Sequence, residues 1–292
     1  MNSYFEASAR ARVSGMLDAH TFHEILPPGE RTTSPHLAAL DLPVAFDDGV
    51  VIGAGRMNGR RVLVAAQEGG FMGGAVGEVH GAKIAGLLER ARRDRVDGVL
   101  LLLETGGVRL QEANAGLIAV SEIIRAILAA RAQGIPVLAA IGGQYGCFGG
   151  MAIAAGCCTA VVMSELARLG LSGPEVIETA RGVDEFDARD RALVWRTTGG
   201  KHRYLMGDCA RIVDDRLDAF RTALGELLRE APTFDAGALE REHALLAARL
   251  TRFGDASDGV DIWRALGWHE PSRIPMLEAD PFAREAEGRR AA

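Results

Sequence analysis

The sequence predicts an α/β fold in which layered strand–helix units form a spiral. A buried strand that runs into glycines and is followed by a helix occurs twice, at residues 99–130 and 137–156. Before them, two apolar segments at residues 50–56 and 60–67 flank an Asn-Gly dipeptide, which favours the type I′ turn of a β-hairpin. Because each strand–helix unit needs a neighbour to bury both faces of its strand, the units are expected to stack in layers rather than to close into a barrel.

The elements before the first unit follow from turn residues and apolar spacing. Residues 1–45 hold turn-forming PPGE and TTSPH segments without a long apolar element, so an N-terminal arm with helical pieces is expected. After the hairpin, a glycine-rich segment leads into a helix from about residue 78 to residue 93. Its apolar face consists of Ile84, Leu87, Leu88 and Ala91.

Short apolar runs predict the remaining strands. The five-residue run 99–103 is typical of a strand that is buried on both faces. Residues 137–141 and 158–163 predict two more strands, and residues 168–172 predict a short extended segment. Pro174 then opens a helix at the first position, which proline favours.

The C-terminal part is predicted to be helical. An amphipathic stretch covers about residues 215–250, and the charged segment 284–292 is expected to fray. The predicted organisation is therefore an N-terminal arm at residues 1–45, a main domain at 46–250, and a helical extension with a tail at 251–292.

Composition excludes several classes of protein. Of the 292 residues, 48% are hydrophobic and 25% are charged, which is typical of a chain with a well-buried core. The formal charge of −6 gives no broad basic footprint for nucleic acid. No apolar run approaches the ~18 residues of a membrane span, and the N-terminal segment lacks the apolar core of a signal peptide. We expect a cytoplasmic protein without nucleic-acid or membrane partners.

Cysteine and histidine spacing does not indicate a metal site. The four cysteines form no CxxC pair, and adjacent Cys157 and Cys158 suit neither a disulfide framework nor a zinc ribbon. The seven histidines show no HExxH motif, so no metal is expected. Cys147 lies between glycine pairs, where packing is favoured over a nucleophilic role because no neighbouring histidine would activate the thiol.

Two Gly-Gly turns carry the main functional prediction. Gly106-Gly107 and Gly149-Gly150 each stand between a buried strand and the start of a helix. Their backbone N–H groups can point at one place and form an oxyanion hole for the enolate oxygen of a thioester. Each donor of such a hole is worth roughly 3 to 4 kcal/mol in acyl-transfer enzymes. The alternative is that the glycines only reverse the chain.

Four sequence blocks resemble a known family. They are GGFMGGAVGEVHGAKIAGLLE, LLLETGGVRLQEANAG, GGQYGCFGGMAIAAG and RLGLSGPEVIE. In order and spacing, over about residues 3–225, they are similar to the carboxyltransferase branch of the crotonase-like superfamily, and most closely to the beta subunits of biotin-independent malonate decarboxylases. The resemblance implies an α/β, crotonase-like ββα spiral with layered sheets and peripheral helices.

The resemblance also implies an activity and partners. The expected enzyme is a carboxy-lyase subunit that, with a homologous gamma subunit, converts malonyl-S-acyl-carrier-protein to the acetyl form and CO₂. The implied partners include a carrier subunit with a phosphopantetheine-type prosthetic group and an acyl transferase subunit, with no cofactor bound to this chain. A biotin-dependent acyl-CoA carboxyltransferase beta subunit stays as an alternative, although the chain lacks the four-cysteine zinc ribbon of the bacterial type. A non-catalytic scaffold chain is a third hypothesis.

The family's site residues are carried over by position. Gly106-Gly107 and Gly149-Gly150 correspond to the two oxyanion-hole turns, and Glu175 falls where some members place an acid/base carboxylate. Phe71, Met72, Gly73 and Gly74 match the block that lies along the active site, which predicts a substrate-binding role.

Charged and polar residues near these turns add further candidates. Arg109 or Gln111 would orient the malonyl carboxylate, or Arg109 would brace the loop through an ion pair. Glu112, like Glu175, is a candidate proton donor, with a solvated surface glutamate as the alternative. The basic run of Arg90, Arg92, Arg93 and Arg95 would either stabilise the end of its helix or dock an acidic carrier protein.

Overall fold

The computed structural model describes residues 2–230 and 234–291 as a central sheet with helices on both faces. Its strands are β1 (His23–Ile25), β2 (Val50–Met57), β3 (Arg60–Gln67), β4 (Gly98–Leu103), β5 (Val137–Ile141), β6 (Cys147–Phe148), β7 (Ala160–Ser164), β8 (Leu169–Gly170) and β9 (Arg211–Val213). Its helices are α1 (Ala9–Met16), α2 (Pro35–Ala39), α3 (Glu78–Asp94), α4 (Ala115–Ala132), α5 (Gly150–Gly156), α6 (Pro174–Arg181), α7 (Arg191–Thr198), α8 (Gly200–Met206), α9 (Leu217–Glu230), α10 (Ala236–Phe253), α11 (Gly259–Ala265) and α12 (Ala279–Glu285).

The central sheet has the strand order β1-β2-β3-β4-β5-β7-β9. The first three strands are antiparallel, and every pairing from β3 onward is parallel. The predicted hairpin is confirmed: Asn58 and Gly59 have φ angles of +50° and +77°, positive at both central positions as a type I′ turn requires. Strand, glycine turn and helix then repeat along the parallel part of the sheet, which confirms the predicted spiral.

The core lies on both faces of the sheet, because consecutive side chains of a strand point to opposite faces. All of β4 is buried, as the prediction of a doubly covered strand requires. Val99, Leu101 and Leu103 pack with the residues of α3 and α4 on one face. Leu100 and Leu102 pack with α1 and α9 on the other.

A smaller layer lies beyond the carboxyl ends of β3, β4 and β5. There the chain forms three glycine-rich segments, which we call the β3 turn (residues 68–74), the β4 turn (104–107) and the β5 turn (142–150). Inside the β5 turn, β6 pairs in parallel with β8. A parallel bridge joins Thr105 to Cys147 and connects the β4 turn to this small sheet. These contacts hold the three turns together at one edge.

The N-terminal arm is part of the fold. β1 pairs with β2 at the edge of the central sheet, and Val13 and Met16 of α1 are buried in the core. The helical stretch predicted for residues 215–250 consists of α9 and α10, and residues 231–233 between them lie outside the described residues. Within the described ranges, no helix combines the length and the apolar character needed to cross a membrane.

The C-terminal residues form a separate apolar cluster with α8 and β9. Trp263, Trp268 and Phe282 are buried in it. The prediction of a frayed tail is wrong, because Arg290 donates hydrogen bonds to the carbonyl oxygens of Tyr204 (3.0 Å) and Cys209 (2.8 Å). Charge alone suggested a solvated tail, whereas the guanidinium caps backbone carbonyls that the cluster brings within reach. The last predicted tail residue, at position 292, lies outside the described residues.

Candidate active site

The β4 and β5 turns meet, as an oxyanion hole built from both would require. Thr105 N–H donates to Gly146 O at 2.8 Å, and Phe148 N–H donates to Thr105 O at 2.9 Å. A Cβ atom on Gly149 would lie 3.2 Å from Gly107 Cα. Gly149 also has a φ of +66°, which disfavours an L side chain. The sequence could not show this convergence, because the two turns come from different units.

The β3 turn packs directly against the β4 turn. Gly106 N–H donates to Gly73 O at 2.9 Å. A Cβ atom on Gly74, which has a φ of +67°, would overlap the carbonyl oxygen of Glu104. The predicted substrate-binding block therefore lies beside the first Gly-Gly turn. Within that block the ring of Phe71 contacts Gly49, and Met72 has a φ of +50°.

The four predicted glycine donors differ in their backbone hydrogen bonds. Gly106 N–H is bound to Gly73 O, and Gly149 N–H donates to Leu171 O at 3.0 Å. Gly107 N–H donates only to the Thr105 hydroxyl, at 3.1 Å. Gly150 begins α5 without a side-chain cap, and the N–H groups of a first helical turn have no partner within the helix. Gly150 N–H and Gly107 N–H, which is held only by a side-chain hydroxyl, are thus the candidate donors, while Gly106 and Gly149 bond other backbone groups and hold the turns in place.

Tyr145 is a candidate site residue that the sequence analysis missed. Its side chain is 41% exposed, and a Cβ atom on Gly73 would lie 3.7 Å from its ring. The partly exposed ring therefore lies against the β3 turn. A large aromatic residue inside the glycine-rich block GGQYGCFGG was the available signal.

Arg109 braces the loop rather than contacting a substrate, because its side chain and that of Asp48 are fully buried. Its Nη1 lies 2.9 and 2.8 Å from the two carboxylate oxygens of Asp48 and 3.1 Å from Glu112 Oε1. Its Nε donates to Ala75 O at 3.0 Å. The predicted substrate-binding role is therefore corrected in favour of the ion-pair alternative. Spacing cannot distinguish the two, since the acidic partner at position 48 is far away in sequence.

The neighbours of Arg109 have opposite environments. Glu112 is buried and accepts the Glu78 N–H at 2.6 Å. Burial acts to raise the pKa of Glu112, but hydrogen bonds from Glu78, Arg109 and Ser34 outweigh it and lower the pKa. A carboxylate held in this ionised state is unsuited to donate a proton. Gln111, in contrast, is exposed and stays a substrate-binding candidate.

Glu175 is exposed in the first turn of α6, close to the β5 turn in the fold. The link is Leu171, which precedes α6 and accepts the Gly149 N–H. Arg168 directly precedes β8. Burial lowers the pKa of Arg168, and the negative charge of the Glu175 carboxylate opposes that effect. Glu175 therefore lies within electrostatic reach of a cation beside the β5 turn, and its proton-donor role stays a prediction.

A buried polar chain connects the turns to the start of α3. Gln67 Oε1 accepts the Glu104 N–H at 3.1 Å, and its amide nitrogen lies 3.0 Å from His80 Nε2. His80 Nδ1 lies 3.0 Å from Asp48 O, which can only accept. His80 therefore donates through Nδ1 and accepts through Nε2, which requires a neutral ring. Burial and the Arg109 cation accordingly lower the pKa of His80 to about 3.

The other candidates have structural roles. Cys147 is fully buried, and burial raises the pKa of its thiol, which agrees with packing rather than nucleophilic chemistry. In the basic run, Arg92 pairs with Glu89 at 2.7 Å, and Arg90 and Arg93 pair with Asp94. These pairs favour the helix-end interpretation over carrier docking. Among the described residues, no group of three or more His, Cys, Asp or Glu is arranged to hold a metal ion.

Buried neutral histidines predict a pH-dependent stability. Burial lowers the pKa of His202 to about 3, against ~6.5 in an unfolded chain. Between these values the unfolded state binds a proton that the folded state does not, so lowering the pH favours unfolding. We expect the free energy of unfolding to fall by about 1.4 kcal/mol per pH unit below pH ~6 for each such histidine. The free energy of unfolding is measured by urea denaturation at several pH values. His202→Gln should reduce its dependence on pH by one such increment, whereas His243→Gln, on the exposed face of α10, should leave that dependence unchanged. An unchanged slope in His202→Gln would contradict the assignment.

Comparisons with known proteins agree with this geometry. The carboxyl transferase domain family matches residues 6–223. The chain is 39% identical to malonyl-S-ACP:biotin-protein carboxyltransferase of Malonomonas rubra, over 98% of this chain and 96% of the relative. It is 30% identical to an acetyl-coenzyme A carboxylase carboxyl transferase subunit beta of Fusobacterium nucleatum, over 61% and 60%. A Pseudomonas malonate decarboxylase hetero-tetramer in complex with malonate contains a chain with a TM-score of 0.82 and 42% identity, over 91% of this chain and 97% of that one.

The chain therefore belongs to the carboxyl transferase family, in the carboxyltransferase branch of the crotonase-like superfamily. Within that family, the resemblance to malonate decarboxylase subunits predicted from the four sequence blocks is confirmed by matches over nearly the whole chain.

Proposed function

We propose that this chain is the beta subunit of a malonate decarboxylase and removes CO₂ from a malonyl thioester carried by an acyl carrier protein. The convergence of the β4 and β5 turns is the observation that carries the proposal. A Cβ on Gly107 would meet no atom within 4 Å, so the space beside Gly107 is open, and the thioester carbonyl is proposed to lie there. Gly107 N–H, held only by the Thr105 hydroxyl, and Gly150 N–H at the start of α5 are the proposed donors.

The reaction places charge where these donors point. The bond between the carboxylate carbon and the α-carbon breaks, CO₂ leaves, and the electron pair forms the enolate of an acetyl thioester. Donors fixed before the reaction stabilise the new oxyanion at no reorganisation cost, by roughly 3 to 4 kcal/mol each. A proton is then delivered to the α-carbon, for which Glu175 is the proposed donor on this chain. Exposed Gln111 is the proposed ligand of the malonyl carboxylate.

Exposed apolar side chains favour a partner subunit over the site. Several large apolar residues that follow the β4 and β5 turns along the chain are at least half exposed. They are Leu110, Leu117, Ile118, Ile153, Leu171 and Val176. Exposed apolar residues that come together in one patch mark an interaction surface. We propose that a homologous gamma subunit covers it, and that the carrier's phosphopantetheine-type arm delivers the malonyl group between the two. An acyl transferase subunit would reload the carrier.

A second candidate function is carboxyl transfer to biotin. The Malonomonas rubra relative is named for transfer from malonyl-S-ACP to a biotin protein, and its similarity covers almost the whole chain. The two functions share the malonyl thioester and the enolate, so the glycine turns serve both equally. They differ in what receives the carboxyl group.

Avidin separates the two functions. The chain, co-purified with its partner subunit, is mixed with malonyl-loaded carrier protein, and carrier mass and CO₂ release are followed with and without avidin. We expect conversion to the acetyl form and CO₂ release at equal rates in both. Release that avidin abolishes would establish transfer through biotin. If an assembled complex leaves the carrier in the malonyl form even when a biotinylated protein is supplied as carboxyl acceptor, only a scaffold role would remain.

A further inference from the structure

We propose that Glu104, held by Arg12, is a positioning residue that fixes all three glycine turns of the site. Of the tests below, only the measurement of kcat rests on the proposed function. Glu104 follows β4 and directly precedes Thr105 and the first Gly-Gly pair. Its side chain is buried, and its carboxylate forms an ion pair with the equally buried Arg12 of α1.

The Glu104 carboxylate lies among the turns that follow three adjacent strands. A Cβ atom on Gly69, in the β3 turn, would lie 2.5 Å from its Cδ, and one on Gly143, in the β5 turn, would overlap it. Tyr145 N–H donates to Glu104 Oε1 at 3.1 Å. One carboxylate therefore contacts the β3 and β5 turns while its own backbone begins the β4 turn.

Arg12 fixes the carboxylate from the N-terminal arm. Its Nε donates to Tyr4 O at 3.0 Å, and its guanidinium lies 4.8 Å from the centre of the Tyr4 ring. Tyr4 in turn stacks on Phe220 of α9, with ring centres 4.0 Å apart. The arginine is thus anchored to the core through contacts that do not involve the turns.

A second contact links the same helix to the β3 turn. Glu68 Oε2 accepts the Ala9 N–H at the start of α1 at 2.9 Å, and Glu68 Oε1 accepts the Gly70 N–H at 3.2 Å. The N-terminal helix therefore meets the β3 turn through Glu68 and the β4 and β5 turns through Glu104. Misplacement of an oxyanion donor by about 1 Å can cost ~100-fold in rate, so this support is expected to affect turnover.

The kinetic test uses the assembled complex. We expect Glu104→Gln to lower kcat by about 10- to 30-fold, with KM within about twofold of wild type, because the donors shift while the surfaces that bind the carrier stay. Arg249→Gln, which breaks a partly buried ion pair with Asp208 far from the turns, is the matched control and should keep the wild-type kcat. A kcat for Glu104→Gln within twofold of wild type would overturn the proposal.

A double variant separates positioning from stability. Glu104→Gln removes one partner of a buried ion pair and is expected to lower the Tm, whereas replacing both partners by apolar residues of similar size is often neutral for stability. Arg12→Met/Glu104→Met should therefore have the wild-type Tm. Its kcat is expected to stay about 10-fold low, because no carboxylate then bonds Tyr145 N–H. Recovery of both Tm and kcat would show that the pair only stabilises the fold, and would overturn the proposal.

Hydrogen exchange tests the proposal without activity. In Glu104→Gln, peptides that cover residues 68–74, 104–107 and 142–150 should exchange about 10-fold faster, whereas α10 should be unchanged. Exchange at wild-type rates in the three turns would overturn the positioning role even if kcat falls. A wild-type complex that releases no CO₂ would refute the proposed function, while this readout would still decide the role of Glu104.

Discussion

Gly107→Val is expected to lower kcat for CO₂ release by at least ~100-fold, the effect of losing one oxyanion donor. Gly107 has a φ of +143°, a conformation that L side chains rarely adopt, and its Cβ position opens into the space beside Gly149. A valine there either fills the position of the thioester carbonyl or displaces the N–H that should bind it. Gly150→Val is expected to have a similar effect, because its Cβ would lie 2.7 Å from Val120 Cγ1 and move the start of α5.

Turnover of the assembled complex is the measurement, with gel filtration to show that the partner still binds. Gly156→Ala is the matched control: it lies at the other end of α5, and a Cβ there meets no atom within 4 Å. This control should keep full activity. If both Gly107→Val and Gly150→Val turned over like wild type, the oxyanion assignment would be wrong and the glycines would only reverse the chain.

Arg109→Gln is expected to lower the free energy of unfolding by about 3 to 5 kcal/mol, the usual cost of removing one partner from a buried ion pair. Without the guanidinium, Asp48 and Glu112 would be two carboxylates in a site from which water is excluded. Without that cation, the pKa values of both carboxyls should rise, so the deficit should shrink as the pH falls from 7 to 5.

Urea denaturation at the two pH values measures this effect. Arg93→Gln is the control, since the Arg93 side chain is 73% exposed and pairs with Asp94 at the surface. Exposed pairs contribute about 0 to 1 kcal/mol, so little change is expected there. Comparable losses in the two variants would mean that Arg109 is not the structural brace that its contacts indicate, and would reopen its role as a substrate ligand.

The apolar pattern of the chain was sufficient to predict the fold. The continuous apolar run of β4, the Asn-Gly hairpin and the repeated strand–glycine–helix unit are local features, and local features are what a sequence displays directly. The order of the sequence blocks indicated the family for the same reason, because the glycine positions within each block are fixed by backbone geometry at that turn. The C-terminal tail was misjudged because its partners, Tyr204 O and Cys209 O, lie in a distant part of the chain.

The side-chain roles needed the tertiary structure. In the sequence, Arg109 is equally suited to bind a substrate carboxylate and to form an ion pair. The structure decides between the two, because the Arg109 guanidinium is bonded to the Asp48 carboxylate. The sequence analysis did not identify Tyr145 and Glu104 as site residues. Residue spacing predicts neither the exposure of the Tyr145 ring nor the ion pair that holds the Glu104 carboxylate. The sequence by itself determined the elements, the glycine turns and the kind of chemistry they allow. Only the tertiary structure decided that the turns converge and which N–H groups stay available, because hydrogen-bond partners are chosen by proximity in space and not along the chain.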